Sequence, residues 1–458
     1  MSAASGPVAW IVRLGAAAAR VARRVVPDPF VIALLLAAAT LVAGIALGQK
    51  APLEVVSSFA FGFLEPPNLA FAFQMVLVLL TGGAIAQAPM VDRALRRLAD
   101  WPTTSAGAAA MVAAMAMGCS LLNWGFGLVA GALLAREVGR SFARRALPLP
   151  YGVVGAAAYV GMAVWHGGLS GSAPLKVAVD GAFGPAIPVS ATLLSPLNLA
   201  TTSAVFIAFV ALFFVFGRSP PTPGQAAPPE LHPPERDEAS GIGAERLERA
   251  PWVLLLLVLP IAVALGLAVI RKGVAGVNLD VVILLFLSTG MLLHRSPRAY
   301  ARAFAEGARE ASGIALQFPI YFGVIAAARD AGLVQAVADA FSSLALALDG
   351  LLAREANASV ITYLSACAIN MLVPSGGGQW AVQSPIILEM SNTLGVERAP
   401  LVMAFAYGDQ TTNLLQPFWA LPLLSISGLK ARDIMGYTMV ALVVEMVIVV
   451  PCLLIFAG

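Results

Sequence analysis

The chain has 458 residues, 59% of them hydrophobic and 12% charged, against about 25% charged in ordinary soluble domains. Its 28 basic and 25 acidic side chains leave a formal net charge of +3, too balanced to suggest a nucleic-acid partner. Cys119, Cys367 and Cys452 sit in apolar segments without metal-ligand spacing, so the composition describes an all-α polytopic membrane protein with the lipid bilayer around it, no metal and no cofactor.

In chain order, a basic stretch with Arg13, Arg20, Arg23 and Arg24 leads into residues 30–48, a retained first span rather than a cleavable signal. Further spanning candidates are 68–87, 150–172, 198–217, 251–270, 279–294, 312–328, 399–428 and 434–457, nine crossings in all. Two more apolar segments, 103–138 and 358–396, are interrupted near the middle by LLNWGFG (Leu121 to Gly127) and NMLVPSGGGQW (Asn370 to Trp380). Their second arms look short for a full crossing. Backbone that leaves the helix at membrane depth survives only inside protein or beside a cavity, so both segments read as re-entrant hairpins. Between spans, MVDRALRRLADW (Met90 to Trp101) and RSPRAYARAFAEGARE (Arg295 to Glu310) have apolar residues at helical spacing and lie in the interface plane.

Residues 218–250 hold seven prolines among charged residues and no apolar periodicity, which marks a linker. On either side of it the features recur in order: 30–48 with 279–294, 68–87 with 312–328, Asn123 with Asn370, and His166 with Gln410, at offsets of about 245 residues. The chain therefore divides into a first membrane repeat at 1–217, a cytoplasmic linker at 218–250 and a second repeat at 251–458. Basic residues concentrate in the N-terminus and in the 90–101, 136–145 and 295–309 stretches, which places all four in the cytoplasm. Span 251–270 has no counterpart in the first half and turns the second half over, giving an inverted repeat with two re-entrant hairpins and two broken helices. Arg271 and Lys272 on the outer side depart from the charge rule.

Four segments carry the candidate site. In the first, Asn123, Trp124 and Gly125 offer an amide and close backbone approach, with a helix N-terminus behind them. In the second, Pro374 ends an incoming arm, Ser375 adds a hydroxyl, Gly376, Gly377 and Gly378 free the backbone, and Gln379 opens the outgoing arm. The third, VWHGGLSGSAP (Val164 to Pro174), breaks a helix with His166, Ser170 and Ser172. The fourth, AYGDQTTNLLQPFW (Ala406 to Trp419), carries Gln410, Thr411 and Asn413 beside Asp409, the sole formal charge between Pro400 and Leu429. An intramembrane carboxylate is costly enough to point to a proton or cation, and His166 can assist as a titrating partner. Plainer readings stand beside these. Isolated glycines also mark helix packing, His166 serves as a buried hydrogen-bonding group, Asp409 as a helix cap, Trp124, Trp165 and Trp380 as packing or interface anchors, and Glu445 as a lipid-facing or subunit contact.

LLNWGFGLVAGALLAREVGR, AYVGMAVWHGGLSGSAPL, NMLVPSGGGQWAVQSP and AYGDQTTNLLQPFWALPLL resemble the short-chain fatty acid transporter family over nearly the whole chain. The resemblance implies a cytoplasmic-membrane carrier of small monocarboxylates, related to an ion transporter group with inverted repeats, two re-entrant hairpins, frequent elevator motion and frequent homodimers. Carried onto this chain, Asn123 to Gly127 and Ser375 to Gln379 form the binding point. The residues themselves agree, because no arginine or lysine occurs in the four segments before Lys176, and neutral donors suit a small monoanion better than a dianion. Uptake of acetoacetate, butyrate or a similar acid by proton symport through Asp409 is the first expectation, and a sodium-coupled carrier of another small organic anion the alternative. An intramembrane hydrolase built on Ser375 or Ser170 with His166 lacks a nucleophile elbow and an oriented partner. A passive channel predicts no uphill uptake, and a scaffold predicts no saturable uptake at all.

Overall fold

The computed structural model describes residues 7–25, 27, 29–178, 184–221, 243–272, 279–310, 312–347, 353–371, 376–416 and 419–457, and no β-strand occurs among them. Helices α1 (Pro7–Val25), α2 (Pro29–Leu47), α3 (Pro52–Gly62), α4 (Pro66–Gln87) and α5 (Pro89–Asp100) precede a hairpin of α6 (Ser105–Leu122) and α7 (Trp124–Arg144). A broken helix follows, made of α8 (Tyr151–Tyr159), two 3-10 turns (Val160–Ala163 and Trp165–Gly167) and α9 (Ser172–Lys176), and then α10 (Pro196–Phe216). After α11 (Ala244–Arg249) come α12 (Pro251–Lys272), α13 (Leu279–His294), α14 (Pro297–Glu310), α15 (Ser312–Asp330) and α16 (Leu333–Ala347). A second hairpin, α17 (Arg354–Asn370) with α18 (Gly376–Leu394), leads to α19 (Arg398–Asn413), α20 (Leu421–Ser427) and α21 (Ala431–Phe456).

Local chemistry sets these boundaries. Proline opens α3, α4, α5 and α10, where its missing N–H is one the first turn cannot use anyway. Thr104 caps α6 by accepting from the Gly107 amide at 3.1 Å, and Asp433 holds the Lys430 amide at 3.0 Å at the start of α21. Residues 399–428, expected as one span, form two helices with a break after Asn413, near Pro417 in the sequence. The second arm α7 is 21 residues long, longer than expected, because its apolar part, Trp124 to Ala135, continues into a charged helical extension. The end of the linker is a short helix, α11, and residues 222–242 of the linker lie outside the described residues.

Six helical segments are long and apolar enough to cross a membrane among the described residues, with Val76–Gln87 and Asp280–His294 as shorter apolar helices. Helix α12 leaves Leu256, Leu259, Val263 and Ile270 exposed, a surface that water tolerates poorly and lipid accepts. The chain is a multi-pass membrane protein.

Relative directions follow from a few hydrogen bonds. The Gln74 amide, in the first half of α4, donates to Asp280 at the start of α13 at 2.8 Å, and His294 at the end of α13 bonds the Ala84 carbonyl near the end of α4 at 2.8 Å, so these two helices run in the same direction. The chain after α2 and the end of α15 meet where the Gln49 amide donates to the Ala331 carbonyl at 3.2 Å. At one end of the molecule Asp100 of α5 binds Ser141 at 2.6 Å and Arg144 at 3.1 Å of α7, which brings two of the basic stretches together. Glu445, for which lipid-facing and subunit-contact readings were open, is fully buried within the chain.

Candidate functional site

Asn123 lies between the two helices, as the C-cap of α6 and the N-cap of α7. Its backbone is extended (φ −159°, ψ 127°), and its side-chain oxygen accepts from the Phe126 amide at 2.9 Å. This single capping residue turns the first hairpin, and the tip then leans on the broken helix. The Ser170 hydroxyl accepts from the Trp124 amide at 2.9 Å, and the Leu169 amide donates to the Leu121 carbonyl at 2.7 Å. A side chain at Gly168 would strike the Leu121 backbone, so only glycine allows this approach.

The broken helix owes its shape to Gly161, Gly167, Gly168 and Gly171. Its freed backbone groups are caught from outside, as a non-aqueous setting demands. Asn198 of α10 donates to the carbonyls of Gly167 at 3.0 Å and Leu193 at 2.7 Å, while Tyr407 of α19 donates to the Asn198 oxygen at 3.1 Å. His166 is fully buried by this scaffold, its ring 3.7 Å centroid to centroid from Trp165.

The second hairpin meets the same broken helix from its other side. A Cβ added at Gly376 would lie 2.6 Å from Ser172 Oγ, 3.0 Å from His166 Nε2 and 3.1 Å from Asp409 Oδ2. Three polar atoms from two broken helices therefore crowd one bare backbone position. Asp409 Oδ1 lies 3.1 Å from His166 Nε2 and accepts from Asn413 at 3.1 Å. Its Oδ2, Ser172 Oγ, His166 Nδ1, Asn123 Nδ2, Trp124 Nε1 and Trp165 Nε1 are buried without a hydrogen-bond partner among the described residues. Buried polar groups are seldom left unpaired, and four of these six are hydrogen donors. The Trp124 ring stacks edge-on against Trp165 at 6.3 Å and Trp419 at 5.3 Å, which gives the cluster an apolar wall.

Of the residues expected at the site, His166, Ser172, Gly376 and Asp409 come together, with Asn413 joined to Asp409. Ser170, Asn123, Trp124 and Gly125 belong to the adjoining first tip. Ser375 lies outside the described residues. Gln379 points elsewhere, donating to the Ala366 carbonyl at 2.8 Å and to Gln383 at 3.1 Å within its own hairpin. Gln410 turns to Glu445 at 3.1 Å, and Thr411 to Tyr407 and Tyr363, so neither reaches Gly376. The Gly377 carbonyl accepts from Lys176 at 3.2 Å, which brings an ammonium beside the glycine run that the first four segments, taken up to Lys176, lack. Gly378 is half-buried in the first turn of α18.

Sequence reasoning singles out Asn370 only as the counterpart of Asn123, yet its side chain does different work. Its side-chain NH2 shares its two hydrogens among the Asp409 carbonyl at 2.8 Å, Thr412 at 2.8 Å and Asn413 at 2.9 Å, while its main-chain carbonyl accepts from Gln416 at 2.8 Å. Tyr159 closes the break after α19, its one hydroxyl hydrogen shared between the carbonyls of Asn413 and Gln416, both at 2.8 Å. The signal for Asn370 was present, an amide side chain at the last turn before a glycine run. For Tyr159 and Asn198 only spatial proximity reveals the role.

Apolar spans around a buried, incompletely paired polar cluster are features of a membrane transport protein. Residues 10–456 match the family described as short chain fatty acid transporter. The chain belongs to that family and is a transporter, not an enzyme. A relative in Escherichia coli, provisionally named as a short-chain fatty acid transporter, is 36% identical over 448 residues, covering 95% of this chain and 98% of that protein. A Haemophilus influenzae relative with the same provisional name is 34% identical over 437 residues, covering 91% and 93%. Among solved structures, the YdaH transporter of Alcanivorax borkumensis is 15% identical with a TM-score of 0.49, covering 94% of this chain and 98% of that one. MtrF of Neisseria gonorrhoeae is 16% identical with a TM-score of 0.47, covering 96% and 97%.

Proposed function

We propose that the protein is a secondary active carrier that takes up short-chain monocarboxylates, such as acetoacetate or butyrate, across the bacterial cytoplasmic membrane by proton symport. The observation that carries this reading is the convergence of Ser172 Oγ, His166 Nε2 and Asp409 Oδ2 on Gly376, beside unpaired donors on Asn123, Trp124 and Trp165. A carboxylate has two acceptor oxygens for such donors, and its short apolar tail suits the indole wall.

The same geometry supports coupling. An ionised Asp409 next to a bound carboxylate costs about 4 kcal/mol at 4 Å and an effective dielectric of ~20, roughly a thousandfold in affinity. One proton on the Asp409 and His166 pair removes that repulsion, and on Oδ2 it becomes a further donor to the substrate. Anion and proton then favour each other's binding, and the pair crosses without net charge. Charge neutrality matters because inward movement of an anion is opposed by roughly 2.3 kcal/mol per 100 mV.

Nine crossings, two re-entrant hairpins and a cytoplasmic N-terminus belong to the same proposal, and relative helix directions support its inverted repeat. Counterparts in a repeat turned over run oppositely, so α4 should run with α13 rather than with α15, and α2 should finish beside the end of α15. The bonds from Gln74 to Asp280, His294 to Ala84 and Gln49 to Ala331 fit that pattern. Tyr151, which opens the first broken helix, donates at 2.8 Å to Ser427, which closes the second. Elevator movement of the two hairpins with the two broken helices completes the proposal.

The test is uptake of radiolabelled acetate, butyrate and acetoacetate into proteoliposomes under an imposed proton or sodium gradient. Uphill butyrate or acetoacetate uptake with an inward proton gradient is expected. Uphill uptake that follows only a sodium gradient contradicts the proton reading, and purely downhill flux contradicts the carrier.

A further inference from the structure

Glu445 is the one carboxylate of α21 past its first turn, and none of the chemistry above uses it. It is fully buried. Its Oε1 accepts from the Gln410 amide at 3.1 Å, and no arginine, lysine or histidine is bonded to it among the described residues. Glu445 Oε2 and Gln410 Oε1 are both left without a partner. The Thr411 hydroxyl lies beside this carboxyl, but it has no hydrogen to offer. Its proton is donated to the Tyr407 carbonyl at 2.7 Å, and its oxygen already accepts from Tyr363 at 3.2 Å.

The surroundings therefore leave Glu445 with one donor, the Gln410 amide, and one unpaired acceptor, Gln410 Oε1. An ionised carboxylate is acceptor-only, so its Oε2 and the Gln410 oxygen would both stay unsatisfied in a site without a counter-charge. A neutral carboxyl has one O–H to give, and giving it to Gln410 Oε1 completes a two-bond acid–amide pair. Other titratable groups facing the site are Tyr363 and Cys367 from α17 and Asp409 from α19. The tyrosines of α8 donate to main-chain carbonyls, α10 has no titratable side chain, and Arg13, Arg20 and Arg24 of α1 are exposed.

We propose that Glu445, paired with Gln410, is a second proton-binding site, loaded in the conformation described here and unloaded once per transport cycle. The proposal rests on the carrier reading given above. Gln410 follows Asp409 directly in α19, so displacement of that helix acts on both carboxyls. The step is the gain or loss of one proton at Glu445 and nothing else. With one proton at the Asp409 and His166 pair and one at Glu445, each monocarboxylate enters with two protons and a net charge of +1. A voltage then drives uptake even without a pH difference.

Two measurements separate this proposal from the carrier reading. In proteoliposomes at equal pH, an interior-negative potential of about 100 mV should sustain butyrate accumulation of up to roughly 50-fold. In Glu445→Gln, which keeps the volume and an amide pair with Gln410, that potential-driven accumulation should vanish while uptake driven by a pH difference persists. The exchanged pair, Gln410→Glu with Glu445→Gln, should restore the potential dependence. In detergent solution at pH 7, infrared difference spectra should show a protonated carboxyl C=O band that is present in the wild type and in Asp409→Asn and missing in Glu445→Gln. That band decides the protonation of Glu445 even if the protein carries no butyrate. Its absence from the wild type, or equal potential-driven uptake in Glu445→Gln, overturns the proposal.

Discussion

At the first hairpin a single residue, Asn123, ends one helix and starts the next, its oxygen spent on capping and its neighbours Trp124 and Leu121 bonded to the broken helix through backbone groups. At the second, Gly376 brings bare backbone against Ser172, His166 and Asp409, and the Gly377 carbonyl is held by the flexible Lys176 side chain. The first tip is fastened by short local bonds; the second offers unpaired polar atoms a common point. On the proposed function, the same motif, an interrupted helix, serves once as a support and once as a receptor. Capping chemistry against glycine chemistry accounts for the difference.

Substitution should expose that division of labour, with the largest effects on the receptor side. Gly376→Val places a branched side chain where even a Cβ falls within 2.6 Å of Ser172 Oγ. Butyrate exchange in proteoliposomes should fall by about 100-fold or more, the equivalent of ~2.7 kcal/mol, while the folded protein still elutes as one species. Next, Asp409→Asn keeps the shape of the carboxyl but not its exchangeable proton. Combined with Glu445→Gln, it should abolish proton-driven accumulation, with butyrate exchange retained within about threefold, and pH-driven accumulation in the double variant would count against the proton role.

Ser172→Ala removes one unpaired donor at the receptor. A hydrogen bond to a charged group contributes about 1.5 to 3 kcal/mol, so KM for butyrate should rise by roughly 10-fold or more, with little change in thermal stability. Smallest is the support. Asn123→Ala deletes a cap worth about 1 kcal/mol together with one outlying donor, and should lower Tm by a few degrees while KM rises less than in Ser172→Ala. A large KM effect at Asn123 with none at Ser172 would reverse the assignment of the two hairpins.

The positions of helices were legible from the sequence, because apolar runs and proline starts are local signals. The spans at 198–217, 251–270 and 279–294 correspond to α10, α12 and α13 within about two residues. The interruption at Asn123 was legible too, since asparagine suits a helix N-cap, while residues 372–375 of the second lie outside the described residues. Side-chain direction was not. Spacing put Gln410, Thr411 and Asp409 within reach of one another, but one residue of a helix turns a side chain by about 100°. That rotation sends Asp409 to His166 and Gln410 to Glu445, on different sides of α19. Lys176 escaped for the same reason, as it lies beyond the motif and reaches Gly377 only through the fold.

The most direct test is the position of the substrate itself. A structure of the protein with butyrate bound should place the carboxylate within hydrogen-bonding distance of Ser172 Oγ and beside Gly376 and Asp409, with the alkyl chain against Trp124 and Trp165. Butyrate bound away from Gly376, with Ser172 and Asp409 untouched, contradicts the site described here.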